Sequence, residues 1–426
     1  MDSDLGDMPT RLTRPKTPML DETICGATVL SFARTILLAA ALLAASGCAY
    51  LPQNLAYEGP QPRPESLESY YQTDGAYTSF TEELVESSEG IDYRLIEIES
   101  TYGPVMLDYY SSGTPNPNLV IVFPILGGNY YIEKHFARYF AEHGLDSLII
   151  RRNSEFKDPE RLFEIEEVLR QGVVRDRITL DFLRDALGKT ELASFGISRG
   201  AINASILAGI DPRLKYNVLV LGGSNLAKLM EKSDQPGLKR YRERAGAKNN
   251  ISEAELLKYI AETVRTDPAK VAPHIDSRNT LMVLAALDTT VPFRYGMQLR
   301  RQIGQPETIF LLADHYTSLL FTQLAHLFLP SREICFFPMD YVETEALGFY
   351  RKSFGLGGGG VKKLSFSTVK VPFGVFESIR CMSRSECRHK MLAEQAKTER
   401  QYRVRSLPIA LSRPTSQGRD QAIVTE

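Results

Sequence analysis

Short apolar runs alternate with helical apolar patterns through the middle of the chain. Residues 119–123 form an unbroken apolar run, which is typical of a strand buried on both faces. The spacing of Ile132, Phe136 and Phe140 then predicts a helix, which Gly144 ends. Further apolar runs predict strands at 148–150, 192–195, 218–221, 281–287 and 309–313. Strands separated by helices predict an α/β fold whose mostly parallel sheet has helices on both faces.

Two further patterns complete a predicted domain over residues 91–355. Residues 91–99 and 105–110 flank a Tyr-Gly-Pro turn and predict a hairpin, which brings the sheet to eight strands. Residues 225–279 are helical in pattern, and Ser252 with Glu255 predicts a capping box there. We interpret this interval as a helical cap inserted after the sixth strand. A last helix is predicted at 341–354.

The N-terminal segment has the pattern of an export signal. Residues 36–45 are all Ile, Leu or Ala, with Arg34 before them and Ser46-Gly47-Cys48 after them. A short apolar run behind a positive charge, ending in small residues, predicts a signal peptide over 1–47. An ordinary buried helix is the alternative. No apolar run reaches the ~20 residues that span a bilayer.

The end of this segment resembles the bacterial lipobox, although Ala45 stands where that motif usually has Leu. The resemblance implies that Cys48 becomes a lipid-modified first residue. It also implies a lipid anchor in the bacterial cell envelope, on the periplasmic side of the outer membrane. Met8 or Met19 is an alternative start, because about 35 residues precede the apolar run.

The segments that flank the domain lack sustained periodicity. Residues 48–90 contain several prolines and a Ser/Glu/Tyr-rich stretch, which suits a tether between membrane and domain. Residues 356–426 begin with a glycine-rich linker and continue as a basic tail. We expect this tail to be disordered or weakly folded.

Composition places the chain among globular proteins. Of its 426 residues, 43% are apolar and 24% charged. The net charge of −2 hides two segments of opposite charge. The tail at 361–426 has 13 Lys/Arg and 6 Asp/Glu, whereas residues 48–360 have 33 Lys/Arg and 41 Asp/Glu. So acidic a domain argues against a nucleic-acid partner. Cys381, Cys387 and His389 lack a fourth ligand and suitable spacing, so no metal or other cofactor is predicted.

The candidate chemistry centres on Gly196-Ile197-Ser198-Arg199-Gly200. A predicted strand precedes this motif and a small apolar helix follows it, so Ser198 lies at a sharp strand-to-helix turn. A serine hydroxyl needs a base, and the base needs an orienting carboxylate. Asp288 and His315 each follow a predicted strand, on the side where such sheets place their ligand sites. Asp314 is a weaker candidate for the carboxylate.

With this motif and the order Ser, Asp, His, the chain resembles the α/β-hydrolase superfamily over about residues 91–355. The resemblance implies that Ser198 is the nucleophile, His315 the base and Asp288 the acid. It also implies an oxyanion hole made by the backbone N–H groups of Arg199 and Leu126, with Ile125 as the alternative to Leu126.

These features favour a serine hydrolase of the carboxylesterase or lipase type, which cleaves a small-molecule or lipid ester through an acyl-serine intermediate. An acyltransferase, a peptidase or amidase, and a non-catalytic envelope lipoprotein are the alternatives. Five basic residues in the predicted cap would attract an anionic substrate or lipid headgroups, or simply form a solvated helix face: Lys239, Arg240, Arg242, Arg244 and Lys248. The sequence does not determine the oligomeric state.

Overall fold

The computed structural model describes residues 50–73, 77–127, 129–152, 155–324 and 340–357, together with the backbone of 365–366 and 369–370. The predicted signal peptide with Cys48 lies outside the described residues. So do Cys381, Cys387, His389 and most of the basic tail. Within the tail, the short strands Ser365–Phe366 and Val369–Lys370 pair antiparallel.

A ten-stranded mixed sheet runs through the domain, in the order β1-β10-β9-β8-β7-β5-β6-β4-β3-β2. Its strands are β1 (Tyr50–Leu51), β2 (Ser79–Ser88), β3 (Ile91–Glu99), β4 (Val105–Ser111), β5 (Asn118–Phe123), β6 (Asp146–Ile150), β7 (Glu191–Ile197), β8 (Leu214–Val220), β9 (Thr280–Ala285) and β10 (Glu307–Leu311). The six central strands from β10 to β6 are parallel, and antiparallel strands form both edges.

Helices cover both faces of the sheet. They are α1 (Glu65–Tyr70), α2 (Tyr131–Glu142), α3 (Ile165–Asp185), α4 (Arg199–Ile210), α5 (Leu226–Lys232), α6 (Pro236–Asn249), α7 (Glu253–Thr263), α8 (Pro268–Val271), α9 (Phe293–Ile303) and α10 (Tyr341–Ser353). Short 3₁₀ helices cover Glu155–Lys157, Pro159–Glu164, Ala272–His274, Ser277–Asn279 and Thr317–Phe321.

The side chains of β5 show how the sheet separates two apolar cores. Leu119, Ile121 and Phe123 belong to a core that α3, α4 and α9 share. Val120 and Val122, which alternate with them, belong to a second core with α2 and α10. Because successive strand residues point to opposite faces, an unbroken apolar run is the pattern expected for a strand covered on both sides.

The number of strands differs from the sequence prediction. All eight predicted strands are present, but β1 and β2 make ten, so the count of eight is wrong. Both added strands, and α1, lie in the segment 48–90, which was interpreted as a tether. β2 escaped prediction because it is an edge strand with three Glu residues and almost no buried positions, a composition that discourages edge-to-edge pairing.

Four helices, α5–α8, occupy the interval between β8 and β9 where a cap was predicted. The capping box forms as expected, since Ser252 and Glu255 each accept from the other's backbone N–H. Leu162, in the 3₁₀ helix before α3, and Ile165, the first residue of α3, join Tyr241, Leu256 and Ile260 from this interval in a separate apolar cluster. That these helices act as a cap over a site stays a prediction.

Candidate active site

Ser198 lies on a strained turn between β7 and α4. Its backbone has φ 57° and ψ −119°, a conformation that non-glycine residues rarely adopt. A Cβ on Gly196 would come within 2.3 Å of the carbonyl carbon of Gly200, and a Cβ on Gly200 within 2.1 Å of the Phe123 oxygen. The motif therefore needs glycine at both positions so that the turn can press against β5 and raise the Ser198 side chain.

Ser198, His315 and Asp288 form a continuous chain of hydrogen bonds. The Ser198 Oγ lies 2.9 Å from His315 Nε2, and His315 Nδ1 lies 2.7 Å from Asp288 Oδ2. A carboxylate can only accept, so Nδ1 carries the proton in this network and Nε2 is left to accept from the Ser198 hydroxyl. The histidine thus has the tautomer that can take a proton from the serine.

The sheet explains why two loops far apart in sequence meet at this serine. Asp288 comes three residues after β9 and His315 four residues after β10, and these neighbouring strands are parallel. The carboxyl ends of β7, β9 and β10 therefore share one edge of the sheet. A backbone hydrogen bond of 3.0 Å from Leu287 to Ala313 joins the two loops beside the site.

The Asp288 side chain is fixed from two directions. It is 5% exposed, and its Oδ1 accepts a 2.8 Å hydrogen bond from the backbone N–H of Val291 while Oδ2 faces His315. Asp314, the competing carboxylate, instead accepts from the backbone N–H groups of Tyr316 and Thr317. Those bonds, that of Thr317 above all, hold the pKa of Asp314 below its usual value. Asp314 therefore stabilises its own turn, and Asp288 is the carboxylate that contacts His315.

The other described histidines make contacts away from Ser198. His135 Nε2 lies 2.9 Å from the buried Glu343, and Nδ1 of His143 lies 2.7 Å from the Tyr139 oxygen. His274 is exposed, 3.0 Å from the Gln61 oxygen. His326 lies outside the described residues.

The loop after β5 carries the predicted oxyanion donors. The N–H of Ile125 donates to Glu133 Oε1 at 2.6 Å, so this amide is already engaged. Leu126 accepts a 2.8 Å hydrogen bond at its carbonyl from Lys157 Nζ. Arg199 is the first residue of α4, and the first amides of a helix have no partner inside it. Of the two candidate oxyanion donors on the loop after β5, Ile125 donates its N–H to Glu133 and Leu126 does not.

Basic side chains gather on one side of the turn, a feature that the sequence analysis did not foresee. The Arg199 guanidinium carbon lies 3.2 Å from the centre of the Phe156 ring. Burial lowers the pKa of Lys157, and the charge of Arg199 acts in the same direction. Arg152 lines the same pocket as Arg199. Arg199 itself was visible in the motif, but residues 151–157 gave no signal that they would meet it.

The junction between α5 and α6 contacts the loop that carries Asp288. Asp234 accepts hydrogen bonds from the hydroxyls of Thr289 at 2.5 Å and Thr290 at 2.7 Å. These bonds, that of Thr289 first, lower the pKa of Asp234, and His315 contributes in the same direction. The helices after β8 therefore begin next to the hydrogen-bonded chain.

Two of the five basic residues on α6 have acidic partners. Arg242 pairs with Glu253 at 2.7 Å and Lys248 with Glu160 at 2.7 Å. In the described ranges there is no group of three or more His, Cys, Asp or Glu that could hold a metal ion. The helices described in those ranges include none long and apolar enough to cross a membrane.

No protein-family model and no curated protein matches this sequence. Among solved structures, the acetyl xylan esterase from Paenibacillus sp. R4 is similar at 17% identity with a TM-score of 0.47, over 59% of this chain and 87% of that one. Acetyl xylan esterase 1 from Thermoanaerobacterium sp. JW/SL YS485 gives 14% and 0.47, over 62% and 94%. The Pyrococcus furiosus esterase Pf2001 gives 10% and 0.39, over 71% and 99%. The function proposed below rests on the geometry of the site.

Proposed function

We propose that this chain is a serine hydrolase of the α/β-hydrolase type, which cleaves a carboxylic ester through an acyl-serine intermediate. The observation that carries the proposal is the hydrogen-bonded chain from Ser198 Oγ through His315 to Asp288. The strained turn at Ser198 supports it, since strain of this kind persists where the surrounding structure enforces it and is concentrated at functional sites.

In the proposed reaction, His315 Nε2 takes the Ser198 proton while Oγ attacks the ester carbonyl carbon. The Asp288 carboxylate holds the ring and stabilises the imidazolium that forms. The N–H groups of Arg199 and Leu126 stabilise the negative oxygen of the tetrahedral intermediate. His315 then gives the proton to the leaving alcohol, and afterwards deprotonates a water that cleaves the acyl-serine bond.

A fluorophosphonate probe tests the nucleophile, and 4-nitrophenyl esters of increasing acyl length test the reaction. We expect wild type to be labelled and to release nitrophenolate, and Ser198→Ala to do neither. Ser87→Ala, on the edge strand β2, is the matched control and should behave as wild type. Labelling that persists in Ser198→Ala would refute the assignment. Product analysis with added alcohols or amides separates hydrolysis from acyl transfer and amidase activity.

We further propose that Cys48 is lipidated and anchors the protein in a bacterial cell envelope. The apolar run at 36–45 and the Ser46-Gly47-Cys48 ending support this. An alkyne-labelled fatty acid should be incorporated into wild type and into Cys25→Ala, but not into Cys48→Ala. The Cys48→Ala protein should also leave the membrane fraction, and wild type recovered without label from the soluble fraction would contradict the proposal.

We propose lastly that α5–α8 form a cap that sets substrate choice. The hydrogen bond between Asp234 and the loop that carries Asp288 supports this. Leu226 also supports it, because this residue packs both against the apolar cluster of Tyr241, Leu256 and Ile260 and against Leu229, Val291 and Tyr295. Leu226→Ala should therefore shift the preferred acyl length. Leu257→Ala, on α7, should shift it as well. An acyl-length profile that stays as in wild type in both variants, while only stability changes, would separate the cap from substrate choice.

A further inference from the structure

Arg199 carries a charge that no Asp or Glu of the described residues pairs with. Among the described residues, no Asp or Glu oxygen lies within 4.0 Å of its guanidinium nitrogens, and it makes no hydrogen bond to them. Its close contact is the face of Phe156. Arg151 and Arg177, in contrast, pair with Asp108 and Asp211. A guanidinium that contacts a ring and has no acid beside it in the described residues is available to bind an anion.

The side chain lines a pocket between α3 and α4. The pocket has a volume of about 40 Å³, enough for a small group such as a carboxylate, and Arg152, Phe156, Gly172, Asp176, Asn203 and Thr266 line it with Arg199. Arg152 and Asp176 are joined by a 2.7 Å ion pair, so they nearly cancel and the charge of Arg199 remains in excess. Asp176 Oδ1 and Arg152 Nε are buried, and neither has a hydrogen-bond partner in the part of the chain that the structure covers.

The surroundings of Arg199 disfavour its protonated form, and a bound anion would remove this destabilisation. Burial, followed by the charge of Arg152, lowers the pKa of Arg199 to about 9. Lys157 lies close enough for Arg199 to contribute to lowering its pKa as well. Like charges that lie close together favour the arrival of a negative group. A bound carboxylate would neutralise this excess and leave the Arg152–Asp176 pair intact.

From this pocket and its unpaired arginine, we propose that Arg199 is a specificity-determining residue that binds a carboxylate on the substrate. The inference rests on the proposed function, because it names the substrate class of the same site: esters that carry a free carboxylate. Arg199 follows Ser198 directly in the chain, at the start of α4, and the carboxylate of the substrate would enter the pocket that its guanidinium lines. A planar guanidinium fits a carboxylate with two parallel hydrogen bonds.

Two pairs of esters that differ only in charge test this inference. Mono(4-nitrophenyl) adipate is compared with its methyl ester, which places the charge on the acyl side. 4-Acetoxybenzoate is compared with 4-acetoxybenzamide, which places it on the alcohol side. For each pair the ratio of kcat/KM, anionic over neutral, is measured for wild type, Arg199→Met, Arg199→Lys and the control Arg184→Met, at the exposed end of α3. The ratio removes any change that affects both esters alike.

In at least one pair, Arg199→Met should lower the ratio about tenfold or more, the size expected when a hydrogen bond to a charged group is lost. Arg199→Lys should retain part of the preference, and Arg184→Met all of it. A ratio that Arg199→Met leaves unchanged in both pairs, while neutral esters are cleaved, overturns this inference and leaves the proposed function standing. Melting temperatures identify any variant that does not fold.

Binding supplies a readout that does not depend on turnover. Hexanoate and inorganic phosphate are titrated separately into Ser198→Ala and into Ser198→Ala/Arg199→Met. Hexanoate binding that weakens about tenfold with the second substitution supports the carboxylate site, even if Ser198 proves not to be a nucleophile. Phosphate binding that depends on Arg199 while hexanoate binding does not would overturn the assignment to a carboxylate.

Discussion

The Glu133 carboxylate accepts a 2.6 Å hydrogen bond from the backbone N–H of Ile125, eight residues earlier in the chain. Burial raises the pKa of Glu133 despite this bond, and its second oxygen has no partner among the described residues. The interaction fixes the loop after β5 from the first turn of α2. It also engages the N–H of Ile125 and not that of Leu126, which supports Leu126 as the proposed oxyanion donor of this loop.

We therefore predict that Glu133→Ala lowers kcat roughly tenfold, because a looser loop aims the Leu126 amide less well. The effect should stay below the ~10²–10³ that loss of one oxyanion donor costs. Glu133→Gln keeps an acceptor oxygen and should retain most of the activity. Steady-state kinetics on one 4-nitrophenyl ester measure both variants. Equal activity in wild type and Glu133→Ala would show that the loop does not depend on this bond.

The choice between Asp288 and Asp314 can be tested with a matched pair. Asp288→Asn should keep the fold but misorient His315, with a loss in kcat of roughly 10⁴ by analogy with other triads. Asp314→Asn removes a neighbouring carboxylate that bonds only within its own turn, so kcat should change little. Turnover is measured for both, with circular dichroism as the check on folding. The reverse ranking would make Asp314 the orienting acid.

The strained turn predicts opposite effects for two glycine-to-alanine changes. Gly200→Ala would place a Cβ 2.1 Å from the Phe123 oxygen, and we expect a loss of at least ~1–3 kcal/mol in the free energy of unfolding. Gly172, inside α3, has its nearest neighbour at 3.8 Å from such a Cβ. Gly172→Ala should stabilise the protein by ~0.5–1 kcal/mol. Denaturant unfolding measures both, and equal stability for the two variants would mean that the turn relaxes.

Acid stability should depend on Asp146, which ties β6 to β4 and to the start of β7. Burial alone would raise its pKa, but hydrogen bonds from Lys189, Tyr109 and Ser112 outweigh burial and hold the pKa below its usual value. The folded protein therefore binds fewer protons here than the unfolded chain. Its stabilisation is present above about pH 4 and is lost as the pH falls through the folded pKa.

Asp146→Asn should accordingly cost ~3–5 kcal/mol at pH 7, because it leaves the buried Lys189 without its partner. The difference from wild type should shrink as the pH falls below 4. Asp185→Asn, which breaks an exposed pair with Arg184, is the control and should change little at any pH. Urea unfolding between pH 7 and pH 3 provides the measurement. A difference in the free energy of unfolding that stays constant over this pH range would show that stability does not depend on the protonation of Asp146.

The sequence by itself determined the features that depend on local patterns. The apolar runs located all eight strands from 91 to 313, the glycines of the Ser198 motif required a tight turn, and the strand ends located Asp288 and His315. These positions could be predicted because strand and helix periods are properties of neighbouring residues. The tertiary structure decided what depends on contacts between distant segments.

Tyr50–Leu51 forms a strand only because β10 accepts it at Thr308 and Ile309. Glu133 decided which amide of the loop after β5 is engaged. The packing of α3, Arg152 and Phe156 decided the surroundings of Arg199, which has no acidic partner among the described residues. Pairing, hydrogen-bond occupancy and desolvation are set by partners that no local pattern specifies. For that reason the sequence located the residues of this site, and only the folded chain determined their surroundings.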